Sequence, residues 1–594
     1  MPTWKDRFYA QTGFPRWASD APHRLVYASA IDGRWQLYAR DVRDGGERRL
    51  TDRRTGISAG TVDPAGEWVW WFDDTCGDEI GVWRKTPFDA GSPGRPTNRS
   101  TVALVEDEPA YSAGLLLGQE IVVIGSSTAA GTTVRVVAAD GTSDISRVVY
   151  RHQEPARVTG MSADESLLCV EHSEHGDSRH PALAVLDRRG ARLAELSDGP
   201  GHALRSGDWS PRRGDSRLLV HHECTGVIRP ALWSPLDGVR SDIEVALPGD
   251  MHAQWYPDAA QLLLHQRYRG RSHLYVHDIL AGTSEPLPLP QGSVEQAAVR
   301  PDGTVWALHS SGHQPARLLD GAGREVWPSS GSGLSGTPYK ELRVGDVHCF
   351  VVEPPSAPRP HPTIFILHGG PANHDRDAFC PRVQGWVDHG FAAVLVNYRG
   401  STGYGRQWRD CLQLGKGPGL SELEDLAAVR QRLIEEDIAD PGRIVLEGGS
   451  WGGYLALLAL GRQPDLWQAG VAVVPVADWV ATYEDEAPSE RAHDRALFGG
   501  APADRPEYYA ERSPLTFVRQ LEAPVHIARG IRDPHCPKRQ IDLYVKALQA
   551  YGKVYEFREF DGGHGSLDID EQIDQHAQQV NFVSKHLGTP PAID

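Results

Sequence analysis

Ser450 stands in the string Gly448-x-Ser450-x-Gly452, directly after one apolar run and directly before another. The runs, 443–446 and 455–460, predict a strand followed by a helix. A strand that turns into a helix within so few residues brings backbones close together, which glycine tolerates. Such a turn exposes the serine hydroxyl above the sheet, at the positive end of the next helix. The string alone is weak evidence, but its place between a strand and a helix predicts a nucleophile.

A serine hydroxyl needs a general base, and the base needs an acid that orients it. After a strand–turn–helix serine, the acid and then the base follow along the chain on loops after strands. Asp533 and His564 each follow an apolar run that predicts a strand. Asp561 is a competing carboxylate, but its adjacency to His564 suits a role in shaping the loop. Ser450, Asp533 and His564 are therefore the predicted catalytic triad.

The loop 367–371 reads Leu-His-Gly-Gly-Pro and follows the first predicted strand of this region. Acyl transfer needs backbone N–H groups directed at the oxygen that becomes negative, and glycine permits that close approach. A second N–H is expected from Trp451, the residue after the nucleophile. His368 is expected to be a structural hydrogen-bonding group within the loop rather than a catalytic one.

Predicted strands and helices alternate from about residue 340 onward, and these elements position the loops. Apolar runs typical of parallel strands occur at 363–367, 391–396, 443–446, 470–475, 524–528 and 554–560. Helical periods lie between them, and we expect helices from Ser421 with a capping box to Glu424, over 537–551 and over 569–587. This pattern predicts a doubly wound α/β domain of the α/β-hydrolase type, with ligands at the carboxyl ends of its strands.

The first half repeats a turn followed by an apolar run. Clear copies occur at 62–71, 209–220, 255–264 and 299–308, and weaker copies at 18–27, 112–124 and 161–170. Successive turns are 42 to 50 residues apart, a period typical of the blades of a β-propeller. We therefore expect an all-β propeller of about seven blades; six or eight blades, or a sandwich with accidental spacing, are the alternatives.

The predicted domains are a propeller over 1–330 and an α/β-hydrolase over 331–594, joined by the Gly/Ser-rich segment 329–336. Residues 1–15 are the part of the first domain that could pack on the second instead.

Composition excludes several classes of protein. The 61 basic and 79 acidic residues leave a net charge of −18, which argues against a general nucleic-acid binder. No N-terminal segment resembles a signal sequence, and no window approaches the ~18 apolar residues of a membrane span. The seven cysteines are scattered, which argues against a disulfide framework or a zinc site. We expect a soluble cytoplasmic protein with no metal, cofactor, membrane or nucleic-acid partner, and leave open whether it forms a homo-oligomer.

Several strings together resemble the prolyl oligopeptidase family of serine peptidases, in its acylaminoacyl-peptidase and dipeptidyl-aminopeptidase branch. They are His368-Gly-Gly-Pro371, the Asn-Tyr-Arg-Gly string that begins at Asn397, the glycine-rich turn 448–454, Asp533, and Asp561-Gly-Gly-His564. The resemblance is specific over about 360–570 and only architectural over the first 330 residues. It implies a serine peptidase that acts on short peptides, with the propeller limiting substrate size.

The resemblance also assigns further residues. It implies that the oxyanion hole uses the N–H groups of Gly370 and Trp451. It implies that Val476 and Trp479 line the pocket for the residue before the cleaved bond. Arg399 is then a scaffold residue rather than a catalytic one.

Two positions depart from the family pattern. Trp451 stands where the family usually has Tyr, Phe or His, which reshapes the pocket. His535 replaces an arginine that, in the family, holds a substrate carbonyl. Either His535 binds substrate as a weaker donor, or the substrate lacks that carbonyl.

Two other polar clusters carry less weight. The string His-His-Glu-Cys at 221–224 looks like a metal site, but consecutive strand residues point to opposite faces, which favours a structural role. The acidic residues Glu484, Asp485, Glu486 and Glu490 could bind a free substrate amino group, although a solvated acidic loop is the commoner explanation.

Three functions follow in order of preference. The first is a serine exopeptidase or oligopeptidase, of aminopeptidase or acylaminoacyl-peptidase type, that forms an acyl-enzyme on Ser450. The second applies the same hydrolysis or acyl transfer to a specialised amide or ester, such as a secondary metabolite, and His535 keeps it open. The third is a propeller interaction module with an inactive hydrolase domain. The presence of all three triad residues argues against it.

Overall fold

The structure is a computed structural model that describes residues 3–90, 108–139, 146–329, 331–413 and 417–591, together with the backbone of 101–102. It contains two compact units. The α/β unit comprises Met1–Ala10, Ser310–Ala316 and Gly331–Asp594, and the all-β unit comprises Gln11–His309 and Arg317–Ser330. Ser330, within the segment predicted as a linker, lies outside the described residues. No helix in these ranges is both long and apolar enough to cross a membrane.

Seven antiparallel sheets form a β-propeller, so the predicted propeller and its predicted number of blades are confirmed. Six sheets have four strands and the last has three, and strands that follow each other in sequence are neighbours in the sheet. The first three sheets contain β1 (Arg16–Trp17), β2 (Arg24–Ser29), β3 (Gln36–Asp41), β4 (Glu47–Arg49); β5 (Gly60–Val62), β6 (Trp68–Asp73), β7 (Val82–Pro87), β8 (Thr101–Val102); β9 (Tyr111–Leu117), β10 (Ile121–Thr128), β11 (Gly131–Ala138) and β12 (Ser146–His152).

The other four sheets continue the same meander. They contain β13 (Ala156–Met161), β14 (Leu167–His172), β15 (Ala182–Asp187), β16 (Arg192–Leu196); β17 (Leu204–Trp209), β18 (Leu218–His222), β19 (Arg229–Ser234), β20 (Val239–Asp242); β21 (Asp250–Trp255), β22 (Gln261–Tyr268), β23 (Arg271–Asp278), β24 (Thr283–Pro286); β25 (Ser293–Val299), β26 (Val305–Ser311) and β27 (Gln314–Asp320).

The repeated turn of the sequence is a chain reversal stabilised by its own aspartate. Between β5 and β6, the Asp63 carboxylate accepts the backbone N–H groups of Glu67 and Trp68 at 2.7 and 2.8 Å. Gly66 completes the reversal at φ 76°, a conformation that costs glycine little. The turn then feeds a strand whose side chains alternate between two faces. In β14, Leu168 packs in one buried cluster and Cys169 in the next, so each blade contributes to two cores.

The α/β unit is built on one eight-stranded sheet in the order β28-β29-β31-β30-β32-β33-β34-β35. The strands from β31 through β30 to β35 pair in parallel, and β28 and β29 form an antiparallel edge. The strands are β28 (Lys340–Val344), β29 (Val347–Val352), β30 (His361–Leu367), β31 (Ala392–Asn397), β32 (Ala439–Gly449), β33 (Ala469–Val473), β34 (Val525–Gly530) and β35 (Tyr555–Phe560).

Nine α-helices are described in this unit, with short 3-10 helices at Lys5–Tyr9, Cys411–Gln413 and Pro514–Gln520. The α-helices are α1 (Pro381–Asp388), α2 (Arg406–Asp410), α3 (Leu420–Glu435), α4 (Trp451–Arg462), α5 (Trp479–Asp485), α6 (Pro488–Phe498), α7 (Pro506–Arg512), α8 (Lys538–Ala550) and α9 (Ile569–Leu587). The doubly wound α/β prediction is therefore confirmed.

Alternate residues of the sheet fill two separate cores. Cys349 of β29 packs in a core with α3, α4 and α8, whereas its neighbour Phe350 packs in a core with α1 and α9. Helices on both faces thus explain why the strands read as continuous apolar runs rather than as alternating ones.

One local prediction is wrong. Helix α3 begins at Leu420 after Gly419, and no described side chain caps it, so Ser421 and Glu424 do not form the predicted capping box. The Glu424 carboxylate instead accepts a hydrogen bond from the Arg399 guanidinium at 2.9 Å. A tertiary ion pair has replaced the local capping interaction.

The N-terminal segment forms part of the α/β unit's second core. The Trp4 and Phe8 rings lie 5.4 and 5.7 Å from the buried imidazole of His576 in α9. Trp386 of α1 meets the same imidazole edge-on at 5.2 Å. Burial lowers the pKa of His576 to about 3, so this ring is held neutral.

Candidate active site

Ser450 occupies the sharp turn between β32 and α4. Its backbone has φ 55° and ψ −121°, which is a strained conformation for a residue with a side chain. The turn persists because neighbouring backbone holds it: Ser450 donates its N–H to the carbonyl of Val473 at 2.9 Å, and its own carbonyl accepts from Tyr454. The serine is therefore presented on a rigid turn.

The glycines on either side of Ser450 are required by close backbone approach. A Cβ at Gly448 would lie 2.3 Å from the carbonyl carbon of Gly452. A Cβ at Gly452 would lie 2.0 Å from the carbonyl oxygen of Leu367, at the end of β30. The elbow thus packs directly against the loop that begins with His368.

His564 and Asp533 form a hydrogen-bonded pair on adjacent loops, after β35 and β34. The Nδ1 atom of His564 lies 2.9 and 2.8 Å from the two carboxylate oxygens of Asp533. Asp533 Oδ1 also accepts the backbone N–H groups of His535 and Cys536, each at 2.9 Å. The Asp533 side chain is only 1% exposed, so it is an oriented acceptor whose oxygens are satisfied.

The competing carboxylate, Asp561, is engaged elsewhere. It pairs with the guanidinium of Arg532 and is 43% exposed. Its partner and its exposure fit the loop-shaping role that the sequence suggested.

A cavity of about 260 Å³ brings most of the predicted site residues together. Its lining includes the nucleophile and its neighbours, Gly370, Ser450, Trp451 and His564. It also includes Val476, Trp479, His535 and Cys536, and a polar set of Thr482, Glu486, Glu490, His493 and Asp494. Asp533 binds His564 but is not in the lining. The cavity thus contains a nucleophile with its base and a cluster of acids.

Both predicted oxyanion donors, Gly370 and Trp451, line the cavity with Ser450. Trp451 is the first residue of α4, where backbone N–H groups have no acceptor within the helix. Gly370 has φ 130°, and a Cβ there would lie 2.7 Å from the nitrogen of Ala372, so only glycine fits. These N–H groups are the candidates for binding a negative oxygen.

His368 fixes the loop that carries Gly370. Its Nε2 lies 2.8 Å from the Ser401 hydroxyl, and its ring stacks on Tyr398 at 4.2 Å. Burial lowers the pKa of His368 to about 4, so the ring stays neutral. It is a structural group that supports the loop.

An aromatic cluster forms the side wall of the cavity. The Trp479 ring lies 5.5 Å from Trp451, 5.1 Å from Tyr454 and 4.9 Å from Phe498. Helix α5 begins at Trp479, with Asp478 accepting the N–H of Ala481 as its cap. The tryptophan after the nucleophile therefore packs into the wall of the pocket.

His535 lies close to both His564 and Glu490. Its ring centroid is 4.8 Å from that of His564, and its Nδ1 is 3.4 Å from a carboxylate oxygen of Glu490. Burial opposes ionisation of Glu490, but the contact with His535 prevails and holds the pKa of Glu490 below its ordinary value. His535, which departs from the family pattern, thus lies next to both His564 and the acid Glu490.

The predicted acidic cluster divides into two parts. Glu484 and Asp485 both bind the guanidinium of Arg539, each at 2.6 Å, and do not line the cavity. Glu486 and Glu490 do line it, and so does Asp494 of α6, which the sequence analysis missed. The spacing of Glu490 and Asp494 was the available signal, because residues four apart share a face of one helix, here α6.

Two groups of side chains in the described ranges bring three metal-ligating atoms within 4.8 Å: Asp533, Cys536 and His564, and separately Asp198, His222 and Cys224. In the first group, burial raises the pKa of the Cys536 thiol well above its usual range, so the thiolate that metals bind is disfavoured. In the second, the Arg240 guanidinium already binds Asp198 at 2.6 Å. Neither group is well suited to a metal ion.

The chain combines a propeller with an α/β sheet that carries an elbow serine, a His–Asp pair and two candidate N–H donors. This is the architecture of a propeller-bearing α/β-hydrolase. Residues 378–590 match the prolyl oligopeptidase family, and this part of the chain is a domain of that family.

Curated relatives of two kinds are similar to this chain. Dipeptidyl aminopeptidase BIII of Pseudoxanthomonas mexicana is 29% identical over 245 residues, which are 39% of this chain and 34% of the relative. An acylamino-acid-releasing enzyme of Arabidopsis thaliana is 26% identical over 404 residues, 61% of this chain and 52% of the relative. The chain thus matches between a third and a half of the length of these relatives.

Solved structures share the whole architecture. A Mycobacterium tuberculosis puromycin-hydrolyzing peptidase superposes with a TM-score of 0.82, covering 99% of this chain and 97% of that chain, at 19% identity. At this identity the likeness shows the fold alone.

Proposed function

We propose that this protein is a serine peptidase that cleaves short peptides through an acyl-enzyme formed on Ser450. One observation carries the proposal: Ser450, on a strained and rigid turn, shares a cavity with His564, which is hydrogen-bonded to Asp533. The family of residues 378–590 and the peptidase names of its relatives support the same reaction class.

In the proposed reaction, His564 removes the proton from the Ser450 hydroxyl while the serine oxygen attacks the carbonyl carbon of the substrate. Asp533 holds the imidazole through Nδ1 and stabilises the positive ring that forms. The N–H groups of Gly370 and Trp451 donate to the carbonyl oxygen as it becomes negative. His564 then protonates the leaving amine, and water releases the acyl group by the same steps in reverse order.

Labelling with a fluorophosphonate probe tests the nucleophile directly. Wild type should be labelled, and Ser450→Ala should not be. The control is Ser356→Ala, which removes an exposed serine of the same unit and should leave labelling unchanged. An unlabelled wild type would contradict the catalytic proposal.

A length series tests the proposed restriction to short peptides. We propose that the propeller limits which substrates reach Ser450, so kcat/KM should fall steeply as the peptide grows and folded proteins should resist cleavage. Cleavage of a folded protein as fast as of a tripeptide would contradict this part of the proposal.

The second candidate is the same chemistry on a specialised amide or ester. His535, at the position where the family has a carbonyl-binding arginine, is the observation that favours it. Peptide and ester chromogenic substrates should be assayed side by side, and turnover of esters alone would favour this candidate over the peptidase.

We also propose a cytoplasmic location and small substrates rather than macromolecular partners. All seven cysteines, each in a described segment, are free, which supports a reducing compartment. Fractionation of cells that express the tagged chain would test the location.

A further inference from the structure

We propose that Glu486, Glu490 and Asp494 form a subsite for a cationic group, an ammonium or a guanidinium, on the acyl part of the substrate. This inference rests on the proposed serine hydrolase, because the acyl part is the one that becomes attached to Ser450. It adds a substrate class to that proposal.

The first argument is that two buried carboxyl oxygens, one of Glu486 and one of Asp494, lack hydrogen-bond partners among the described residues. Glu486 and Asp494 are each only 5% exposed. Glu486 Oε1 and Asp494 Oδ2 are fully buried, and no described residue hydrogen-bonds to either atom. Buried polar atoms without a partner are uncommon, because leaving one unpaired costs free energy. Both residues line the cavity, so a donor bound there would lie next to their carboxyl groups.

The second argument is charge. Glu490 contacts His535 at 3.4 Å, and Asp494 contacts His493 at 3.5 Å. Glu486 forms no ion pair within the described residues, although Arg491 lies nearby and donates to backbone carbonyls, including that of Glu486. Three carboxyl groups therefore meet in one enclosed place, where a cation that donates several N–H bonds would be bound strongly.

Electrostatics supports the same assignment. Burial and the neighbouring carboxylates raise the pKa of Glu486, and burial together with Glu490 raises the pKa of Asp494. Glu486 therefore holds its proton near neutral pH while the cavity is empty. A cation that enters stabilises the carboxylate form, and the displaced proton passes to solvent.

The position of the subsite relative to the chemistry is the third argument. Ser450, Gly370 and Trp479 line the same cavity as the three acids. The His535 ring lies 4.8 Å from that of His564, and its Nδ1 lies 3.4 Å from a carboxylate oxygen of Glu490. The apolar wall suits the carbon chain of a lysine or arginine side chain, and the acids suit its charged group. A free α-amino group of an N-terminal residue supplies the same ammonium chemistry.

Two matched pairs of aminomethylcoumarin substrates distinguish these sources. The first pair is acetyl-arginine against acetyl-citrulline, which is the neutral analogue of arginine, and the second is free leucine against acetyl-leucine. In one of the two pairs, kcat/KM of the cationic substrate should exceed that of the neutral substrate by about 10- to 100-fold. Preference within the first pair assigns the cation to the side chain, and preference within the second assigns it to the α-amino group.

Variants locate the preference. Glu486→Gln and Asp494→Asn should reduce the preference for the cationic substrate to within about threefold, because the amides cannot balance a buried cation. The control, Glu507→Gln on exposed helix α7, should keep the wild-type preference. A wild type without preference in both pairs, or a preference that survives in both cavity variants, would overturn the subsite.

Fluorophosphonate labelling separates this failure from failure of the proposed function. A labelled wild type that lacks cation preference loses only the subsite, whereas an unlabelled wild type loses the hydrolase as well. If a variant is not labelled and has therefore misfolded, competitive inhibition of wild type by butylamine and butylguanidine against butanol decides the question. One of the cations must inhibit at least about tenfold more tightly than the alcohol, and equal inhibition by all three would overturn the subsite.

Discussion

Asp533 and the pair Glu486 and Asp494 are carboxyl groups buried to a similar degree at one site, with 7%, 5% and 5% of each residue exposed. They differ in what surrounds their oxygens. Asp533 accepts two backbone N–H groups and the His564 ring, whereas Glu486 and Asp494 each retain a buried oxygen that no described residue satisfies. Asp533 and the two acids are therefore similarly buried but differ in hydrogen bonding. Asp533 is satisfied by protein groups and can orient His564, whereas Glu486 and Asp494 can each accept a further donor.

The local backbone explains this difference. Asp533 lies on a turn whose following N–H groups point back to its carboxylate. Glu486 and Asp494 lie at the end of α5 and within α6, where the helices use their N–H groups internally. The same residue type is thus satisfied on a loop and unsatisfied on a helix.

The largest effect is expected where the satisfied carboxylate is removed. Asp533→Asn should lower kcat by about 10⁴-fold with little change in KM, because the amide favours the wrong tautomer of His564. Steady-state kinetics on any substrate that the wild type turns over measures this. A decrease smaller than about tenfold would show that His564 does not depend on Asp533.

Removing an unsatisfied acid should instead stabilise the empty protein. The unfolded Glu486 carboxyl ionises above about pH 4.5, whereas the folded one keeps its proton because burial and Asp494 raise its pKa. The wild type therefore loses stability as pH rises above that value, and Glu486→Gln does not. The variant should match wild type in Tm at pH 5 and exceed it by a few degrees at pH 8.5, about 2 kcal/mol.

Thermal scans at both pH values measure this difference. Glu507→Gln, which changes an exposed acid, should follow wild type at both. A Glu486→Gln variant that is less stable than wild type at pH 8.5 would mean that the carboxylate is satisfied in the folded protein.

His576 extends the comparison to a buried base. The unfolded imidazole takes up a proton below about pH 6.5, whereas burial lowers the folded pKa to about 3. Stability from this group is therefore present above pH 6.5 and is lost as pH falls toward 3. Between pH 7 and pH 5 the wild type should lose about 2 kcal/mol more than His576→Phe, which keeps an aromatic ring among Trp4, Phe8 and Trp386.

Denaturant unfolding of the two proteins at both pH values checks this prediction. Phe8→Leu disturbs the same packing without removing a titrating group, so it should keep the wild-type dependence on pH. Equal losses in wild type and His576→Phe would assign the acid sensitivity to other groups.

The smallest effect is expected at the competing carboxylate. Asp561 pairs with Arg532 at the surface, whereas the Nδ1 atom of His564 lies against the Asp533 carboxylate. Asp561→Asn should change kcat by about twofold or less, since exposed ion pairs contribute little. A decrease comparable to that of Asp533→Asn would exchange the roles of the two aspartates.

Much of the fold could be predicted because its signals are local. The blade turns repeat an aspartate and a glycine that stabilise each reversal within a few residues, as Asp63 and Gly66 show. Helix α9 was predicted with the bounds that the structure has, 569–587, because its apolar period is long and regular. The capping box at Ser421 failed because a tertiary partner, Arg399, competes for Glu424.

The edge strands β28 and β29 were not predicted. Within the described sheet, strand β28 pairs only with β29, and the partner that joins this hairpin to the sheet, β31, lies more than forty residues from β29 in sequence, so no local pattern indicates the contact. The same limit applies to Asp494, whose neighbours in the cavity come from α5 and from the loop that contains His535.

The sequence by itself determined the blade period, the succession of the six strands β30 to β35, and the glycine-lined turn at Ser450, because spacing between near neighbours encodes all of these. Tertiary structure alone decided that Asp494 joins Glu486 and Glu490 in the cavity of Ser450, whereas Glu484 and Asp485 bind Arg539. Those outcomes depend on how distant loops pack at the ends of the strands. Such packing depends on burial and hydrogen bonding between residues far apart in sequence, so residue spacing cannot predict it.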